Sequence, residues 1–348
     1  MNEIPSWRVL GEPFYRVSLF YRQEFGHSVR KICVDAGLSC PNRGLSGEQQ
    51  GCIFCNNESF SPVRRNLAAK KELKSIPCQI ETQIETQIEA QIRRLGSRFP
   101  TTQLPATQSP RPQYLVYFQP STNTNAPVPK LRKMYEEAIA FSDVLGIIIG
   151  TRPDAVPEPV LDLLEELSRK TWLLLEIGLQ TIHNTTLRFL NRGHTYETFF
   201  DTVQRIAARG IRLGVHLILG LPGESDEQLK ETATEISRLP IHSVKLHNLY
   251  ICENTSLAEM YRQGRIKLPT RDEYSRFVVD FLERQSMKTV VDRIVSDVGD
   301  GFLIAPNWMR EKTGHKTIVL QNVIQEFHRR DSYQGKLFYQ RETPPKIK

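Results

Sequence analysis

Residues 29–55 read VRKICVDAGLSCPNRGLSGEQQGCIFC. The first six, Val29–Val34, form a mostly apolar, β-branched run of strand length. A polar, glycine-rich loop follows and ends in the pair Cys52 and Cys55, with eleven residues between Cys40 and Cys52. A loop at the C-terminal end of a strand is where barrel-like α/β folds gather their active-site groups.

The same kind of strand recurs along the chain, at 114–118, 144–150, 172–177, 211–219 and 244–250. Each run is mostly apolar on both faces, as strands of a covered parallel sheet should be. Amphipathic helical patterns lie between them at 131–141, 159–169, 198–209 and 228–238, and Gly210 stands where a helix C-cap is expected. Strand–helix alternation of this kind implies a parallel α/β fold, and six βα units make a partial (βα)6 barrel, short of the closed eight-fold form. The expected organisation is an N-terminal extension over 1–28, the barrel over 29–268 with a helix and loop insertion near 60–112, a helical C-terminal extension over 269–330 on the substrate side, and a polar, loosely ordered tail over 331–348.

Within the insertion, residues 79–93 read QIETQIETQIEAQIR. Isoleucine every fourth position makes one apolar helix stripe, suited to docking on the barrel or to a partner helix. Residues 100–112, rich in Pro, Thr and Gln, read as a surface loop.

Composition narrows the class. The chain has 348 residues, 39% of them hydrophobic, which suits a globular fold. No apolar run reaches the roughly 18 residues that span a bilayer, and residues 1–10 show no secretory pattern, so the expectation is a cytoplasmic protein without a membrane partner. The net charge of +7 suits a polyanionic partner such as RNA and equally a merely basic surface.

The six cysteines are Cys33, Cys40, Cys52, Cys55, Cys78 and Cys252. In a reducing compartment, clustered cysteines are metal ligands or redox groups more often than disulfides. Spacing alone leaves three readings open. Structural zinc wants four ligands, with Cys33 as the fourth. A redox pair needs a helix start at Cys52 and leaves Cys40 unexplained. An iron–sulfur cluster held by three thiolates keeps one iron open. Cys33, inside an apolar strand, reads as a small buried residue.

Taken together, several segments resemble radical S-adenosylmethionine (SAM) proteins of the group related to the Elongator catalytic subunit. They are KICVDAGLSCPNRG from Lys31, GCIFCN at 51–56, YFQPSTNTNAP at 117–127, IGTRPD at 149–154, EIGLQT at 176–181, LNRGHT at 190–195, HLILGLPGE at 216–224, KLHNLY at 245–250 and IAPNW at 304–308. The resemblance covers about residues 14–330. The eleven residues between the first two cysteines exceed the three of the commonest radical SAM pattern, and long first spacings are a feature of the resembled group.

The resemblance implies a [4Fe–4S] cluster on Cys40, Cys52 and Cys55, with SAM chelating the open iron and cleaved reductively to a 5′-deoxyadenosyl radical. By resemblance Gln119, Ser121 and Thr122 meet the SAM amino group, Glu176 and Gln180 its ribose or amino-acid portion, and Arg192 its carboxylate. Gly220 and Pro222 follow the fifth strand, where backbone approaches adenine or ribose closely. His216 touches SAM or substrate or is a core histidine. Lys245 and His247, two apart on one strand face, suggest substrate-side contacts. The same kinship implies a flavodoxin- or ferredoxin-type electron donor and a tRNA substrate, the wobble uridine whose carboxymethylaminomethyl group matures to aminomethyl. Arg64, Arg65, Lys70, Lys71, Arg93 and Arg94 are candidate phosphate contacts. Radical chemistry on a small metabolite, or a non-catalytic haem or cluster chaperone on the same fold, are the rival implications.

Overall fold

A run such as Ile147, Ile148 and Ile149, all fully buried, fits only a strand covered on both faces. In the computed structural model, which describes residues 5–43, 51–61, 84–98, 112–299, 301–311 and 314–338, such runs form one parallel sheet. Its strands are β1 (Val29–Val34), β2 (Gln113–Phe118), β3 (Val144–Thr151), β4 (Trp172–Gln180), β5 (Arg212–Leu219) and β6 (Ser243–Asn248), in chain order. They are the six strands expected from sequence.

A seventh strand extends the sheet. The residues Ile251–Cys252 form a short strand, β7, and β8 (Val290–Arg293) pairs in parallel with β6. The sheet curls into a parallel half-barrel. The sequence VVDR of β8 is half charged, so it lacks the apolar pattern that reveals the others. β9 (Leu303–Ala305) pairs antiparallel with β7 and brings the IAPNW segment beside the strand ends.

The two sheet edges do not pair with each other. The outer edge of β8 is met by the N-terminal segment, with Val291 N–H donating to Tyr15 O at 2.8 Å. The outer edge of β1 is met by the isoleucine-striped helix, here spanning Ile84–Arg98. Ile84 and Ile88 are buried in the main core. Gln87 exchanges two 2.8 Å hydrogen bonds with the Asp35 backbone, and Gln91 donates to Cys33 O. Side-chain amides thus satisfy strand-edge groups that would otherwise offer a template for aggregation. Residues 79–83 of the striped segment and the 100–111 part of the Pro/Thr loop lie outside the described residues.

The crossover helices Val128–Ile139, Glu158–Ser168, Tyr196–Ala208 and Asp226–Ser237 fall where the sequence places them. Gly210, just beyond the third, takes φ +65°, the left-handed conformation that a C-cap favours. Ser225 and Gln228 form a capping box at the start of the fourth. In each helix one face is buried; Leu161, Leu164 and Leu167, for example, are fully enclosed. Burying one such side chain stabilises by about 2 kcal/mol.

Two further helices, Arg271–Leu282 and His315–Arg329, pack on each other. The tail differs from its sequence expectation over 331–338, which packs in place. Gln334 is fully buried, accepts from Tyr15 N–H at 2.9 Å and donates to Ser286 O and Thr289 O.

Candidate active site

The cysteine loop is built by short-range turns and anchored by long-range ones. Cys40 leads into a tight turn over Pro41–Arg43, and Cys55 N–H donates to Cys52 O at 3.0 Å. Ile53 N–H donates to Leu190 O at 3.1 Å, and the Asn191 amide to Gly51 O at 2.6 Å. The LNRGHT segment therefore holds the cysteine loop from the far side of the sequence.

Arg192 is the central clamp. Its Nη1 donates to Cys52 Sγ at 3.2 Å and its Nη2 to Gly178 O on β4 at 2.6 Å. Asn42 Nδ2 also donates to Cys52 Sγ, at 3.4 Å. Burial raises the Cys52 thiol pKa, but Arg192, Arg152 and Asn42 outweigh it and hold it below the ordinary thiol value. Cys55 differs: burial, with Cys52 and Cys40 beside it, pushes its thiol up to about 11.

Cys40, Cys52 and Cys55 all line one cavity of about 220 Å³ at the C-terminal ends of the strands. The same cavity is lined by Gln119, Ser121, Thr122, Glu176, Gln180, Arg192, His216, Lys245 and His247. Gly220 and Pro222 are not among its lining residues. Gly220, at φ +77°, turns the chain toward Pro269 and Phe277, and Pro222 lines a separate surface depression with Phe189 and Arg265. Cys33 also stays out of the cavity and packs with the apolar side chains around Phe20 and Tyr117.

Beneath the cavity runs a chain of buried charges. Lys31 on β1 pairs with Asp292 on β8, bridging the two unpaired sheet edges. Lys245 on β6 lies 3.7 Å from Asp292 and donates to Glu176 Oε2 and to Tyr117 Oη, both at 3.0 Å. His216 Nε2 lies 2.6 Å from the same Glu176 oxygen. Burial disfavours the Glu176 charge, but Lys245, His216 and Lys31 outweigh it and hold the carboxyl well below the usual carboxylate range.

This donor set suits a cluster with a zwitterionic, hydroxyl-bearing ligand. Thr122 Oγ1, Glu176 Oε1 and Arg192 Nε are buried without partners. Buried polar atoms of this kind need a partner. A Cβ on Gly178 would come within 2.9 Å of Gln180 and 3.2 Å of Arg192, so the wall is pared to backbone there. Among the described residues no three His, Cys, Asp or Glu side chains are arranged to hold one metal ion. A multi-iron cluster sets its thiolates farther apart than a single ion does.

Sequence reasoning missed several lining residues. Tyr117 and Arg152 lie inside quoted motifs, at strand ends where polar groups face the barrel mouth. Arg293, Ser296 and Asp297 lie on or after β8, and their only signal was two charges following Val290 and Val291.

The Radical SAM superfamily model matches residues 46–236, and the Radical_SAM C-terminal domain model matches 241–325. The chain belongs to the Radical SAM superfamily and is an enzyme of that class, whose members use a [4Fe–4S] cluster and SAM. It is 32% identical over 329 residues to protein YtqA of Bacillus subtilis, covering 94% of each chain. It is 31% identical over 158 residues to the tRNA uridine(34) acetyltransferase of Methanocaldococcus jannaschii, covering 44% of this chain and 28% of that protein. The solved structure of Elp3 from Methanocaldococcus infernus shares the fold, with a TM-score of 0.61 at 16% identity over 88% of this chain and 64% of that one. Among the described residues no helix is long and apolar enough to cross a membrane.

Proposed function

We propose that Cys40, Cys52 and Cys55 carry the [4Fe–4S] cluster, that the strand ends hold SAM, and that the substrate is a tRNA wobble uridine whose carboxymethylaminomethyl group is converted to aminomethyl. The observation that carries the reading is that three cysteines of one loop and polar residues of six strands line a single cavity. The aligned stretch of the tRNA uridine(34) acetyltransferase supports the tRNA part.

When bound, the cluster and SAM supply one-electron cleavage and hydrogen-atom abstraction; the protein supplies placement and dryness. Glu176 Oε2 is taken by Lys245 and His216, which leaves Oε1 as the acceptor for a SAM ribose hydroxyl or ammonium. Thr122 with Gln119 and Ser121 would meet the amino end, and Gln180 would act beside Glu176 on the rest of the amino-acid or ribose portion. Arg192 holds Cys52 and β4 with two of its nitrogens, so any SAM carboxylate contact falls to its Nε or requires that clamp to open.

In this reading residues 29–268 carry the cofactor side and 269–330 the substrate side. A cytoplasmic flavodoxin- or ferredoxin-type protein donates the electron. Exposed Arg93 and Arg94 are candidate contacts for tRNA phosphates; Arg64, Arg65, Lys70 and Lys71 lie outside the described residues.

Mass spectrometry of tRNA digests from a strain lacking the gene tests the substrate. The carboxymethylaminomethyl nucleoside should accumulate while its aminomethyl product disappears. An unchanged profile contradicts the tRNA substrate and leaves the radical chemistry standing.

A further inference from the structure

The cations lining the cavity are paired with one exception. Arg43 donates to Cys55 O, Arg152 pairs with Asp154, Arg192 clamps Cys52, and Lys245 pairs with Glu176. Arg293, last residue of β8 and in register with Lys245, lines the cavity, and its guanidinium makes no hydrogen bond or ion pair among the described residues. An uncompensated guanidinium in a half-enclosed site calls for an anion.

His247, on the neighbouring strand, adds a second requirement. Ser296 Oγ donates its proton to Asn248 O at 2.9 Å, so it can only accept from His247 Nδ1 at 3.1 Å. Nδ1 therefore carries the ring proton. Burial, with His216 and Arg293 close by, keeps the imidazole neutral. Nε2 is thus a bare acceptor, and it is buried without a partner. The His216 ring stacks on it at 5.6 Å, its own Nε2–H committed to Glu176. Neutral acceptors beside an arginine repel a second anionic oxygen and favour an N–H donor.

We propose that the β6–β8 side of the cavity is a subsite for a substrate group carrying a carboxylate next to an amine N–H, an N-substituted glycine, with Arg293 on the carboxylate and His247 Nε2 on the amine. A phosphate would supply the anion but no N–H for His247. The subsite rests on the proposed function and names the part of the nucleoside that is recognised, since a carboxymethylaminomethyl group is such a glycine.

Binding by the reconstituted protein with SAM, under anaerobic conditions, tests it. The probes are an anticodon stem-loop bearing carboxymethylaminomethyluridine and the same stem-loop bearing aminomethyluridine. The protein should prefer the first by roughly tenfold or more, the scale of one charge-assisted contact. Arg293→Gln should abolish that preference while its affinity for the second probe and its iron content hold. A preference that survives Arg293→Gln overturns the proposal, and so does a loss of SAM affinity in that variant, which would place Arg293 on the cofactor. If neither stem-loop binds, the tRNA reading fails on its own. The subsite is then decided by saturation-transfer NMR with N-methylglycine, whose signal must be present and must vanish in Arg293→Gln.

Discussion

Lys245 Nζ lies 3.0 Å from Glu176 Oε2, and the pair joins β6 to β4 inside the half-barrel with both side chains almost fully enclosed. The pair is one link in a buried chain that also includes Lys31, Asp292 and His216. Removing one partner strands a buried charge. Glu176→Gln should therefore destabilise the fold by about 3–5 kcal/mol, read as a lower denaturation midpoint. Adding Lys245→Met to it should recover much of the loss. A single variant as stable as the parent would show that the chain of charges does not matter to stability.

The same carboxylate sets an acid limit. Its folded pKa lies well below the unfolded value of 4.5, so at acid pH the unfolded chain binds the extra proton. The stability it contributes is fully present above pH 4.5 and is lost as pH falls below it toward the folded pKa. Stability measured from pH 6 down to about pH 3 should fall more steeply for the parent than for the Glu176→Gln, Lys245→Met double variant. Parallel curves would contradict the assignment.

Gln87 covers the edge of β1 through two hydrogen bonds to Asp35. Gln87→Leu keeps the helix amphipathic but leaves that backbone N–H and C=O unmet. The expected cost is about 1–3 kcal/mol, with faster amide exchange at Asp35. Unchanged exchange there would mean that water or another group replaces the amide.

Gly178 marks where the cavity wall must be backbone. The atoms a Cβ would meet belong to the ends of Gln180 and Arg192, which can move. Gly178→Ala should thus leave the melting temperature within a few degrees, roughly 1 kcal/mol, yet weaken SAM binding several-fold. A large loss of stability with unchanged SAM affinity would give Gly178 a packing role instead.

The parts legible in the sequence are those with local patterns. Ile147–Ile149 and the other strand runs, the C-cap at Gly210, and the cysteine spacing are readable within a short window. What was hidden depends on partners far along the chain. β8 carries Asp292 and Arg293 because Lys31 and the cavity face them, and nothing near residue 292 announces a residue at 31. The isoleucine stripe marked Ile84 and Ile88 as one apolar face, but did not show that Gln87 and Gln91 would meet a strand edge. Gly220 and Pro222 fall outside the cavity lining, because a glycine-rich turn after a strand looks alike in sequence whether it bends into the cavity or, as here, toward Pro269.

The central claim is that Cys40, Cys52 and Cys55 hold the cluster and Cys33 does not. Iron content and reduced-state paramagnetic resonance after anaerobic reconstitution, with and without SAM, test it most directly. The parent protein and Cys33→Ala should each hold about four irons, shift their signal when SAM is added and form 5′-deoxyadenosine. Cys40→Ala, Cys52→Ala and Cys55→Ala should each lose the SAM-dependent shift and the product. A cluster that survives any of those three replacements with SAM cleavage intact, or that fails in Cys33→Ala, would contradict the account.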